Sequence, residues 1–355
     1  MREISIKEVE KLLLEENQYL EKMNIIRAEI SQYGYYKSFE GDDIERISIE
    51  MLATPQYIQY PHGVVAVQES GPYFCRGESK IYPTSKSTWD RFTPENENER
   101  PAYSFVENMR LSELAIFLQK LKAVQCSRTS EFNFSAVAQH YGFKTNFLDI
   151  TNRLRVALFF ACCKKEKDKP WRPLNKSDFT KTDFADGRYG VIFIQDFYRN
   201  FETNLIMPIG YQPFLRCHSQ YGYFIPMKRE WDLKDEASGF TSLYFKHDEE
   251  FCRHIYDLNE GGRSIYPDDT DSFFIPYFNK LLDTRAFSKK VFEIIYKHRN
   301  DIPFPFPKDY TKEMVIKDLK DIQIIDDELI PNFDIDLINE KWCKTCANKE
   351  KCGMA

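Results

Sequence analysis

AVAQHYGFKTNFLDITNRLRVALFFACC, residues 136–163, sets a helix end, a polar turn and a buried helix side by side. Gln139, His140 and Tyr141 close a helical run that Gly142 can terminate, because glycine accepts the left-handed conformation needed just past a last turn. A turn is expected next, with Asp149 or Thr151 placed to cap the following helix through a side-chain oxygen. That helix carries Leu154, Ala157, Leu158, Ala161 and Cys162 at helical spacing, and Val156, Phe159, Phe160 and Cys163 make its other side apolar too. A helix apolar all round belongs inside a core. The polar residues Gln139, His140, Tyr141, Thr145, Asp149 and Thr151 are therefore expected at the mouth of a core element.

Outward from this stretch, the chain supports a substantial core: it has 355 residues, with 29 Phe and 21 Tyr. Most of those rings are expected in packing. The formal net charge is −6 and no long Lys/Arg block occurs, so the overall electrostatics lack the footprint of a duplex-binding protein. The first residues, MREISIKEVEKLLLEEN, are charged and hold no long apolar run, which reads as neither signal peptide nor membrane span and predicts a cytoplasmic protein. In that compartment the nine cysteines read as reduced thiols or metal ligands rather than a disulfide framework.

Ser5 and Glu8 form a capping box ahead of a helical run through Val9, Leu13, Leu20 and Met23. That helix either docks on the domain or offers a self-association surface. Val64–Val67 and Tyr73–Arg76 read as strands of a hairpin turned at Gly71-Pro72, and Ser79–Pro101 as a loop. Asn108–Val124 is an amphipathic helix, Tyr189–Phe197 a central strand, and Phe214–Met227 a further strand or hairpin carrying Arg216 and Gln220. Glu249–Leu258 reads as helical up to Gly261-Gly262. Pro303, Pro305 and Pro307 exclude helix and central strand there. The expected organisation is a helical extension over residues 1–60, a core over 61–300 and an appendage over 301–355.

QHYG-x2-T-x2-LDxT followed by the apolar helix resembles the central signature of the FRG domain family. Tyr73-Phe74-Cys75-Arg76-Gly77-Glu78 is similar to its aromatic-x-Arg-Gly strand, with Cys75 intruding before the arginine. Arg216 with Ser219–Phe224 resembles a later Arg…Q-x-G-x-F segment, and Tyr266-Pro267-Asp268-Asp269 a closing motif. The resemblance runs over residues 64–283. It implies an α+β fold, a mixed sheet with flanking helices, remotely like the ADP-ribosyltransferases, whose first strand presents an Arg-Gly to NAD. It also implies NAD or another nucleotide as ligand, an unidentified protein or nucleic-acid acceptor, and a place in bacterial anti-phage or toxin systems.

Under that resemblance Arg76 and Gly77 hold a diphosphate, with Gln139, Tyr141, Thr145, Thr151 and Arg216 in the binding set. His140, Gln220 and Asp149 take the catalytic positions. Read from the residues, Arg76 can grip a phosphate or carboxylate bidentately, or make a salt bridge to Asp149. His140 can move protons near neutral pH or sit as a satisfied helix-end residue. Gln220 stands where ADP-ribosyltransferases usually carry a glutamate, and a neutral amide cannot supply negative charge to an oxocarbenium-like centre. Glu230 or another carboxylate would have to enter from elsewhere. The opposing reading is a non-catalytic nucleotide or single-stranded nucleic-acid sensor, with aromatics of residues 221–224 beside Lys228 and Arg229 as a stacking surface.

At the C-terminus Cys343, Cys346 and Cys352 form C-x2-C-x5-C. Thiolates at this spacing can converge on zinc or an iron-sulfur cluster, with Cys217, His218, Cys252 or His254 as candidate fourth ligands. No P-loop, G-x-G-x-x-G after a strand, H-E-x-x-H or G-x-S-x-G occurs.

Overall fold

The computed structural model describes residues 2–53, 56–60, 63–68, 71–126, 133–166, 169–196, 206–209, 214–229, 231–267, 270–326 and 333–345. Its centre is a mixed seven-stranded sheet: β1 (Arg2–Glu3), β2 (Tyr73–Glu78), β3 (Phe147–Thr151), β4 (Tyr189–Asp196), β5 (Met207–Pro208), β6 (Gly222–Pro226) and β7 (Thr241–Lys246). The spatial order is β1-β7-β4-β2-β3-β6-β5, with β1 parallel to β7 and every other pair antiparallel. The helices that matter to the site are α1 (Ile6–Tyr33), α2 (Thr88–Phe92), α3 (Arg100–Lys120), α4 (Phe134–His140), α5 (Leu154–Cys162), α6 (Leu215–Ser219), α7 (Glu249–Leu258) and α8 (Thr270–Asp283). Sheet plus flanking helices make the class α+β.

Strand alternation sorts the two faces. On β4, Ile192 points to the cluster around α5, while Val191 and Phe193 point to the opposite cluster with Phe74, Leu148, Ile150 and Ile225. Helix α5 is buried as its sequence demands: Leu154, Val156, Ala157, Leu158, Phe159, Ala161 and Cys162 are all inside. It is covered by Val9 and Leu13 of α1 and by Phe251, Cys252 and Ile255 of α7. A second cluster gathers Phe117 and Leu118 of α3, Val137 of α4, Tyr141, Phe214, and Phe274 and Phe278 of α8. Phe333 and Ile338 from the C-terminal segment pack into it as well.

Local signals explain much of this. The Ser5–Glu8 capping box forms, and α1 ends at Gly34 with φ 83°. Gly142 at φ +89° follows α4 and donates its N–H to the Gln139 carbonyl, as the QHYG reading requires. Four expectations are corrected. Residues 147–151 are strand β3 rather than a turn, so Asp149 and Thr151 do not cap α5. The Leu154 N–H is instead accepted by Glu16 Oε1 from α1 at 2.7 Å, a long-range contact invisible locally. Residues 63–68 pair with 56–60, and β2 lies between β4 and β3 in the main sheet, so the Gly71-Pro72 hairpin does not form. Residues 79–101 contain α2, and 214–227 divide into α6 and β6, leaving Arg216 on a helix and Gln220 at its C-terminus. Among the described residues no helix is long and apolar enough to cross a membrane.

Candidate functional site

The site arises where β2 and β3 part. Their only described register pair is Cys75 with Thr151. Beyond it the chains splay, so Arg76, Gly77 and Glu78 on one side face Asp149 and Ile150 on the other across a cleft of about 290 Å³. Its walls also include Tyr82, Arg91, His140, Thr151, Phe160, Gln220 and Tyr266.

Pleat alternation puts Arg76 and Glu78 on the same face of β2, with Cys75 and Gly77 turned to α5. Arg76 Nη1 donates to the Asp149 carbonyl at 2.9 Å, bridging the split, and its Nε meets Glu78 Oε1 at 3.3 Å. Arg76 thus meets Asp149 through a hydrogen bond to its backbone carbonyl, and its ion pair is made with Glu78 rather than with the Asp149 carboxylate. Glu78 Oε1 also accepts from Ser85 Oγ at 2.6 Å, and its buried Oε2 makes no hydrogen bond among the described residues.

Gly77 answers to packing. A Cβ there would lie 1.7 Å from the Ala157 carbonyl oxygen, so the close approach it permits is that of strand to helix.

On the β3 side, His140 Nδ1 lies 3.1 Å from Gln220 Oε1 and His140 Nε2 lies 3.7 Å from Asp149 Oδ1. Both the Nε2 and the Oδ1 are buried without a hydrogen bond among the described residues. Gln139 Nε2 donates to Asp149 Oδ2 at 3.2 Å, while Gln139 Oε1 accepts from Thr88 at 3.0 Å and from Thr145 at 2.5 Å. Gln139 and Thr145 do not line the cleft; they hold Asp149. The same loop docks α2, since Trp89 N donates to the Thr145 carbonyl. Thr151 Oγ1 donates to the Gln220 carbonyl at 2.7 Å, tying β3 to the end of α6.

Tyr141 lies in the core against Phe214 and Phe278. Arg216 lies behind the wall, its guanidinium over the Tyr141 and Tyr266 rings and its Nη1 donating to the His140 carbonyl at 3.1 Å. Both orient wall residues.

Two charged wall residues escaped the sequence reading. Glu78 was within reach of it, because a residue two beyond Arg76 on a strand shares its face. Arg91 lay in a stretch read as loop, and no local signal aims it at the site. Burial first, and then the neighbouring charge of Arg76, push the Arg91 guanidinium below its usual range. Two cations and two carboxylates therefore converge with one imidazole in a partly dehydrated space.

Glu230, Asp268 and Asp269 lie outside the described residues. So do Cys346 and Cys352, and of Cys343 only the backbone is described, at the end of the helix Ile335–Thr345.

Comparison with known families gives a match over part of the chain. The FRG domain family matches residues 72–170, a span that runs from the start of β2 through Arg91, His140 and Asp149 to beyond the end of α5. The chain carries an FRG domain. The segments with Gln220 and Tyr266, which the sequence resemblance included, lie beyond the matched residues. No curated protein and no solved structure matches the chain.

Proposed function

We propose that the cleft binds a nucleotide and that the protein is an NAD-using, ADP-ribosyltransferase-like enzyme, of the kind found in anti-phage or toxin systems. The observation that carries this reading is the convergence of Arg76 and Arg91 with Glu78, Asp149 and His140 in one cleft. Two neighbouring guanidiniums repel each other, and a diphosphate between them relieves that repulsion while accepting their N–H donors. Glu78 supplies what Gln220 cannot: a carboxylate on the strand end beside the arginines, fit to stabilise positive charge developing on a ribose carbon. NAD contributes the bond that breaks, between C1′ and nicotinamide, whose electron pair departs with the ring while C1′ bonds to an acceptor nucleophile. The acceptor's proton goes to the His140–Asp149 pair. At about 290 Å³ the cleft sits at the small end of ligand pockets, roughly 300–1,000 Å³, so it would enclose the reacting half of a dinucleotide and leave the other half outside.

The test is NAD binding by calorimetry together with nicotinamide release by mass spectrometry, for wild type, Arg76→Ala and Glu78→Gln. The expected pattern is lost binding in Arg76→Ala. Glu78→Gln should keep binding while turnover falls by about 10²–10³-fold. Binding without release by the wild type, alone and with cell extract, would leave the sensor reading; no binding at all would remove NAD from both.

A further inference from the structure

On the α5 side of the sheet, Cys162 of α5, His247 after β7 and Cys252 of α7 bring their ligand atoms within 4.8 Å of one another, all three residues buried. We propose that Cys162, His247 and Cys252 bind a single zinc-class divalent cation.

Geometry, charge and access each support this. Cys252 Sγ lies 3.7 Å from His247 Nδ1. In a tetrahedral zinc site with bonds of about 2.3 Å to sulfur and about 2.0 Å to nitrogen, those two atoms stand about 3.5 Å apart. His247 Nε2 lies 3.1 Å from the Ser79 carbonyl, an oxygen that can only accept, so Nε2 carries the hydrogen and the Nδ1 lone pair faces the sulfurs. A backbone carbonyl on the far ring nitrogen is the usual support of a metal-binding histidine. Phe179 stacks on the imidazole at 5.2 Å and fixes its plane.

Two thiolates and a neutral imidazole around a dication sum to no net charge, which suits an interior where an isolated ion would be heavily penalised. Binding converts both thiols to thiolates and releases their two protons to solvent. Entry is available because His247 and Asp248 also line a surface cleft with Glu3, Ile4, Ser5, Ile6, Lys7 and Lys246. A water molecule would complete the fourth position. The cation would pin the Ser79 carbonyl, one residue past Glu78, and so hold the end of β2 at the cleft from behind.

The proposal is separable from NAD chemistry and from the C-terminal cysteines. In the full chain bearing Cys343→Ser, Cys346→Ser and Cys352→Ser, mass-spectrometric metal analysis after supplying zinc chloride and desalting should find about one zinc per chain. Adding Cys252→Ser should lower the affinity by at least about 10-fold. Because Cys252→Ser could also disturb folding, cobalt is the second measurement: the folded tail variant loaded with cobalt(II) chloride should show a thiolate-to-cobalt charge-transfer band. Zinc content near zero in the tail variant, absence of that band, or a Cys162–Cys252 disulfide in the freshly purified chain would each overturn the proposal.

Discussion

Glu16 illustrates how one side chain far away in sequence can do what a local cap was expected to do. It is 1% exposed and accepts the Leu154 N–H at 2.7 Å, so it holds the start of the helix on which β2, β4 and β7 pack. Burial raises its carboxyl above the ordinary glutamate value, against the opposing pull of the Leu154 hydrogen bond and of Arg153. A carboxyl with a raised folded-state pKa binds its proton more tightly in the native state, so it weakens folding as pH climbs from about 4.5 through that raised value. Glu16→Gln keeps an acceptor and loses the charge. Its unfolding free energy should therefore gain on wild type as pH rises from 4 to 7, a comparison that urea titrations at several pH values make directly. Glu16→Ala leaves a buried donor unpaired and should cost about 1–3 kcal/mol near pH 4, a cost that shrinks toward pH 7 because this variant also removes the titrating carboxyl. A constant difference between Glu16→Gln and wild type would mean that Glu16 does not titrate upward.

At the scale of elements, what could be read from sequence was what depends on neighbours in the chain. Helix α5 announces itself by being apolar on every side, α1 by its Ser5–Glu8 box, and β4 by a run too apolar for a surface. Of the candidate residues, Arg76, Gly77, His140, Asp149, Thr151 and Gln220 meet in one cleft, while Gln139, Tyr141, Thr145 and Arg216 stand behind its walls, and the architecture that joins them could not be read. FLDIT is five residues long and carries a carboxylate mid-strand, so its strand character comes from pairing with β6 rather than from its own pattern. The cleft exists because β2 and β3 diverge after one pair, a relation between segments over seventy residues apart that no window of sequence contains. Strand and helix meet at Gly77, whose added Cβ would fall 1.7 Å from the Ala157 oxygen. Gly77→Ala should cost about 3 kcal/mol or more through forced separation of β2 from α5. Gly142→Ala meets nothing closer than 3.7 Å and should lose only the left-handed backbone penalty, about 1–2 kcal/mol. Urea midpoints that rank the two variants the other way would contradict the packing role given to Gly77.

Across the whole molecule, the N-terminal segment belongs to the core it covers. Ile4, Val9 and Leu13 are buried against α5, and β1 extends the sheet beside β7. Deleting residues 1–33 removes these side chains, each worth about 1.5–3 kcal/mol of burial, and the acceptor for Leu154. The shortened chain should melt well below the intact one and bind a hydrophobic dye; an unchanged melting temperature would show α1 to be a separate appendage. The parted strands have a mechanical meaning as well. The sheet is two leaves, β1-β7-β4-β2 and β3-β6-β5, stitched along their shared edge by one residue pair. A ligand reaching from Arg76 to Asp149 is therefore a clasp across a seam, and its grip is felt as stiffness in both leaves at once.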